Sequence, residues 1–129
     1  MVLGFSLVAV NISSGNNAIT QQRAARDLVS SLRYARSIAL RSHQETAVLF
    51  DVIEHSYKIM PNNKTYYIPD DIGIRLQIAK THILNGQQAS IRFFSDGSST
   101  GGRVFLTRNE VVWEITVNWL TGQIEAEQH

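Results

Sequence analysis

Apolar positions recur at helical spacing from Asn17 to Ser42. At 100° per residue, Ala25, Leu28, Leu32, Ala35 and Ala39 share an arc of roughly 80°. Arg23, Arg26, Arg33, Arg36 and Arg41 spread over about 140° on the other side. No Gly or Pro interrupts the run, and Ala, Leu, Arg and Gln are good helix formers. The pattern predicts one amphipathic helix, roughly 39 Å long at about 1.5 Å per residue. Such a rod is longer than a small domain is wide, so it should overhang its partner at the N-terminal end. Upstream, Ser13-Ser14-Gly15-Asn16-Asn17 reads as a breaker, with Asn16 or Asn17 as the cap. His43-Gln44 is the exit.

Downstream the period changes to two. Val48, Phe50 and Val52 alternate with Leu49 and Asp51, which predicts a strand over Glu45–Ile53. Glu54-His55 is a tight turn, and Ser56–Met60 pairs back as a hairpin. Pro61-Asn62-Asn63-Lys64 is a loop, Thr65–Ile68 is β-prone, and Pro69-Asp70-Asp71 closes it. Ile72, Ile74, Leu76 and Ile78 alternate with Gly73, Arg75, Gln77 and Ala79, the pattern of a half-buried strand. Asn85-Gly86 is the turn signal within Lys80–Gln88. Ser90–Phe94 is a short strand, and Asp96–Gly102 is a loop. Val104–Thr107 and Val111–Trp119 form a hairpin around Arg108-Asn109-Glu110, with Val111, Trp113, Ile115, Val117 and Trp119 on one side. Thr121-Gly122 turns the chain into a last strand, Ile124–Ala126. The expectation is an α+β fold: a long N-terminal amphipathic helix packed on a C-terminal two-sheet antiparallel β-sandwich.

Composition adds limits. A chain of 129 residues fits one domain and can bury a real core. The net charge of +1 does not call for nucleic acid or an acidic membrane. With no cysteine, disulfides, thiol catalysis and Cys-ligated zinc are excluded. A transmembrane helix would need about 20 apolar residues, and no such run is present. Met1–Val10 is nevertheless almost wholly apolar. Its residues alone leave two readings open: a tail or first strand, or the stump of a membrane helix.

Catalytic and cofactor motifs are missing. His43, His55, His82 and His129 fall into no metal-binding spacing, and no G-x-S-x-G elbow occurs. Asp96-Gly97-Ser98-Ser99-Thr100-Gly101-Gly102 superficially suggests a phosphate cradle. A P-loop needs a Lys before its Ser/Thr and a helix after it, whereas Arg103-Val104-Phe105-Leu106 reads as a strand. Asp70-Asp71 lacks the spaced third ligand of a calcium loop. Arg92, Arg103 and Arg108 join the helix arginines, and Phe93, Phe94, Tyr66 and Tyr67 offer stacking faces for nucleic acid. Aromatics inside alternating strands are core by default, and the arginines are not gathered in one run. No cofactor and no metal is expected, and the chain does not read as an enzyme.

The helix wording Leu32-Arg33-Tyr34-Ala35-Arg36-Ser37-Ile38-Ala39 resembles the pilin-like family that unites type IV minor pilins with pseudopilin H of the type II secretion system. Two further blocks, Phe94 to Val104 and Trp119-Leu120-Thr121-Gly122, are similar to the signatures of the pseudopilin H branch. The resemblance spans roughly Asn17–Glu125. It implies an N-terminal membrane helix that continues into the amphipathic one, and maturation by a prepilin peptidase cutting after a Gly. Gly4-Phe5-Ser6-Leu7 is not that site, because the glutamate expected five residues past the Gly is Ala9. Residues 1–12 are then the remnant of the membrane helix. Residues 13–129 are a periplasmic domain, with its helix over about 17–42 and its β part over about 45–126.

That resemblance further implies a minor pseudopilin near the tip of the secretion pseudopilus, anchored by a single pass in the Gram-negative inner membrane. Its partners would be the minor pseudopilins I, J and K and the major pseudopilin. Arg23, Arg26, Arg33 and Arg36 are the candidate subunit contacts. The alternative is a type IV minor pilin that binds DNA during natural transformation through basic residues after a Gly in the last strand. Here that place reads Gly122-Gln123-Ile124-Glu125, neutral and then acidic, which makes nucleic acid an unfavourable partner. A periplasmic hydrolase ranks last, since no nucleophile–base pair can be named.

Overall fold

The computed structural model of the protein describes residues 12–61, 64–79 and 87–129. The apolar start Met1–Val10, Asn62-Asn63, His82 and the Asn85-Gly86 signal lie outside the described residues.

One helix, α1, runs over Ile12–Ser42, and eight strands follow it. They are β1 (Thr46–Asp51), β2 (Ser56–Met60), β3 (Lys64–Tyr67), β4 (Gly73–Gln77), β5 (Gln88–Phe93), β6 (Gly102–Arg108), β7 (Val111–Val117) and β8 (Ile124–Gln128). They make two antiparallel four-stranded sheets, ordered β3-β2-β1-β5 and β4-β6-β7-β8. The α+β architecture predicted from the periodicity is therefore present.

The predicted stripe is the seam. Ala25, Leu28, Val29, Leu32, Ala35 and Ala39 are all buried and join one core with Val48, Phe50, Tyr57, Ile59 and Ile91 of the first sheet. On the second sheet they meet Val104, Leu106, Ile115, Val117 and Ile124. The helix thus packs against strands of both sheets. It ends where His43 takes a left-handed φ of 58°, which stops the helical hydrogen-bond pattern.

The start of the helix differs from expectation. Helical backbone passes through Ser13-Ser14-Gly15-Asn16-Asn17, so Asn16 and Asn17 are interior positions and not caps. Adding residues to an existing helix is cheap compared with nucleating one, and five weak formers are carried along. Ala18, Ile19 and Thr20 are exposed, and the first buried position is Gln21. The helix therefore begins upstream of the predicted boundary, and residues 18–20 stand clear of the core.

Two aromatic expectations are corrected. Trp119 does not share the inner side with Ile115 and Val117, because β7 stops at Val117 and the chain turns; Trp119 is 66% exposed. Phe94 likewise lies past the end of β5 and is 37% exposed, whereas Phe93 is fully buried.

Tyr57 carries a testable consequence. It lies on β2 beneath α1, stacked on Tyr66 with ring centroids 5.4 Å apart. Burial pushes its phenol pKa up, and the charges of Asp27 and Tyr66 add to that, against a lowering hydrogen bond with Ser31. The folded state therefore holds this proton more tightly than the unfolded chain. The corresponding stability is complete below an unfolded value of about 10 and is lost as pH rises through the raised folded value. Urea titrations between pH 8 and 11 should show an alkaline fall, and Tyr57→Phe should flatten it.

Candidate functional site

The two sequence blocks that carry the resemblance fold against each other and against α1. Loop 94–101 is closed by the Ser98 carbonyl accepting from the Phe94 amide at 2.8 Å and the Phe94 carbonyl accepting from the Gly97 amide at 2.9 Å. The Ser98 hydroxyl and amide both donate to Asp96, at 2.6 and 3.0 Å, and hold its carboxyl below the usual range. Turn 118–122 is closed by the Gly122 amide on the Asn118 carbonyl at 2.8 Å. The Asn118 side-chain oxygen accepts from the Leu120 and Thr121 amides at 2.8 and 3.1 Å. Ser99 then stitches loop to turn, donating its amide to the Trp119 carbonyl and its hydroxyl to the Asn118 carbonyl, each at 2.9 Å.

Arg36 fastens this pair to the helix. Its Nε donates to the Gly97 carbonyl at 3.0 Å and the Thr121 carbonyl at 3.1 Å. Such close approach needs a residue without a side chain. A Cβ on Gly122 would stand 1.9 Å from the Gly97 oxygen and 2.7 Å from Arg36 Nε, and Gly122 itself has φ +73°. Gly122 is therefore explained by close approach of the loop backbone, not by phosphate binding.

Around this junction Leu40, Phe94, Trp119 and Leu120 remain exposed, the last two by about two thirds. Trp119 also walls an open groove of about 550 Å³ with Gln77, Thr100, Arg103, Thr116 and Asn118. A second recess, about 300 Å³, lies beside the N-terminal half of α1 and is lined by Arg23, Asp27, Tyr57, Tyr66, Tyr67 and Ile68. Rigid turns presenting aromatic and leucine side chains are equipment for binding a surface, since such anchors lose little entropy on contact.

The four arginines singled out in the sequence separate into two kinds. Arg33 reaches back to the Ile124 carbonyl of β8 at 3.3 Å, and Arg36 is the fastener described above. Both lie on the β domain rather than on an open strip. Arg23 lines the tyrosine recess, and Arg26 is exposed. Gln21 escaped sequence reasoning. It is 1% exposed and its amide donates to the Leu106 and Val111 carbonyls, both at 3.0 Å. One signal was available: Gln21 falls four residues before Ala25 and seven before Leu28, on the apolar arc itself.

A metal would find Glu114, Glu127 and His129, whose ligand atoms lie within 4.8 Å of one another on the outer face of the second sheet. The cationic place is already taken by Arg103, whose Nε is 3.5 Å from Glu114, and His129 sits 2.9 Å from the same carboxylate. With Arg75 over the Phe105 ring at 4.1 Å, this face reads as a solvated ladder of charges. Asp71, half of the pair weighed for calcium, is engaged by Arg108.

A long N-terminal helix laid on two antiparallel four-stranded sheets is the architecture of pilin-like proteins. The type IV minor pilin FimU of Pseudomonas aeruginosa superposes with a TM-score of 0.64 over 86% of this chain and 90% of that one, at 14% identity. The minor pseudopilin EpsH of the Vibrio cholerae type 2 secretion system gives 0.62 over 82% and 94%, at 12% identity. At such identities the likeness is one of fold.

Sequence settles the branch. Residues 24–122 match the family described as type II transport protein GspH, and the chain belongs to that family. It is 28% identical over 120 residues to type II secretion system protein H of Xanthomonas campestris pv. campestris, covering 93% of this chain and 70% of that protein. It is thus a pilin-like minor pseudopilin of the H type. Membership implies a place in the cell envelope and assembly with other pseudopilins.

Proposed function

We propose that this protein is a structural subunit near the tip of the type II secretion pseudopilus, acting in protein export across the outer membrane by packing and not by turnover. One observation carries the reading. α1 is sealed between both sheets from Gln21 onward, while Ala18, Ile19 and Thr20 before it are exposed and the sequence leads back to an apolar segment. Apolar surface in water is unfavourable by roughly 25 cal/mol per Å², so the apolar sequence Met1–Val10 upstream of α1 needs lipid or neighbouring stems around it. Among the described residues no helix is long and apolar enough to cross a membrane. The anchor we propose is a single inner-membrane pass built from the segment upstream of α1, with the domain in the periplasm.

Its partners in this reading are the other minor pseudopilins I, J and K and the major pseudopilin, with prepilin peptidase for maturation. Arg23 and Arg26, next to the exposed residues 18–20, are the contacts we favour. Arg33 and Arg36 contribute only through the N–H groups left over from their bonds to the β domain. Co-purification with the other minor pseudopilins tests the proposal. Binding is expected, and Arg23→Glu with Arg26→Glu should weaken it by about tenfold or more. Absence of any complex across pH and salt overturns the tip assignment. DNA retardation that fades steeply with salt would install the transformation reading instead. The exposed Glu125 and Glu127 of β8 argue against that outcome by repelling phosphates.

A further inference from the structure

The seam between α1 and the β domain is built from two materials. Its centre is mostly apolar and low in relief: three of its six buried apolar side chains are alanines. Such a stripe resists being lifted off, because lifting exposes it to water. It offers less resistance to sliding, because methyl groups present no deep ridges along the axis. Directional bonds to the first sheet lie within this stripe: Thr46 Oγ1 donates to the Ala35 carbonyl at 2.8 Å, and Ser31 pairs with Tyr57. Those to the second sheet sit at two levels on either side of Leu28. Gln21 holds two carbonyls at the mouth of the β6–β7 hairpin. Roughly three to four turns further on, Arg33 holds the Ile124 carbonyl and Arg36 holds those of Gly97 and Thr121. All five acceptors belong to β6, β7, β8 or the loop and turn stitched to them. The covalent chain, by contrast, leaves α1 into β1, in the other sheet.

From this division of labour we infer that Gln21, Arg33 and Arg36 form a shear clamp, which passes axial load from the stem directly into the β6–β7–β8 sheet. Without them, a pull on the stem would reach that sheet only through the apolar seam, which yields more readily to sliding, or through β1 and the remaining chain. With them, five hydrogen bonds at two levels of the helix are loaded together. A helix slipping by one turn, about 5.4 Å, would carry all three donors away from their present acceptors. Load on the stem presupposes the envelope-anchored subunit proposed above; the clamp itself is a property of the isolated chain.

The sequence has no cysteine, so single thiols can serve as handles without ambiguity. In the full chain, Ala18→Cys with Gln128→Cys pulls α1 against the end of β8. Ile53→Cys with Gln128→Cys pulls the β1–β2 turn against the same point and leaves α1 out of the direct path. Forced unfolding reports the rate of barrier crossing in each direction. Gln21→Leu with Arg36→Met should raise the unfolding rate at fixed load on the order of tenfold or more in the first geometry and less than about threefold in the second. Arg33→Met, at an exposed position where folding is not in question, should give a smaller rise in the first geometry alone. Equal acceleration in both geometries would show a general loss of stability and overturn the clamp. So would no acceleration in the first. Neither result touches the tip assignment, which stands or falls on partner binding.

Discussion

Gly122→Ala is expected to cost about 3 kcal/mol or more of folding free energy, although it adds one methyl group to a turn. Two effects combine. The left-handed φ of +73° is strained for any residue with a Cβ, at a cost of order 1 kcal/mol or more. The new carbon would also overlap the Gly97 oxygen at 1.9 Å and crowd Arg36 Nε at 2.7 Å, and neither is the loose end of a flexible side chain. Relief requires the turn and loop 94–101 to separate, which breaks the two Ser99 bonds and both Arg36 bonds. Urea denaturation measures the loss. Gly73→Ala is the control: there a Cβ would meet nothing closer than 3.6 Å, and φ is not left-handed, so the change should stay below about 1 kcal/mol. If the two substitutions cost the same, the packed junction does not hold the turn in place. A drop in partner binding by Gly122→Ala at temperatures where it remains folded would in addition tie the junction to assembly.

How much of this was legible beforehand depends on range. The helix and most strands follow from local periodicity: β1, β2, the end of α1 and the turn of the β6–β7 hairpin appear where the pattern places them. Errors fall where a local signal outlives its cause. Trp119 keeps the alternation of β7 in sequence, but Asn118 has already capped the turn, so the indole faces out. Ser13 to Asn17 have the composition of a cap, yet the helix is propagated through them. The junction is illegible for a different reason. On a helical wheel Arg36 lies about 80° from Arg26, at the edge of the apolar arc, but nothing on the wheel says that it meets a carbonyl 61 residues away and another 85 away. Glycines at 97 and 122 hint at tight backbone, but nothing local says that they meet each other. The resemblance to a family supplied that link before any geometry did, because it placed both blocks in one motif set without saying why.

Leu28→Ala should destabilise the protein by about 3 kcal/mol, within the 2–5 kcal/mol range for buried leucines. Leu28 is 0% exposed and sits in the stripe between Gln21 and Arg33, where both sheets meet the helix. Collapse around the lost side chain is hindered, because the polar ties on either side keep α1 at its present height above the sheets. The cavity should therefore persist, and the cost should lie toward the transfer-plus-cavity limit and not the transfer term alone. Leu40→Ala, 38% exposed at the rim of the junction, should cost less than about 1 kcal/mol while reducing partner affinity if that rim is used. Gln21→Leu in the Leu28→Ala background decides between rigid and yielding seams. Freed at one end, the helix can settle onto the gap, so the double variant should be less destabilised than the sum of its parts. A strictly additive pair would mean that the helix position is fixed by the apolar stripe itself, with the polar ties as passengers.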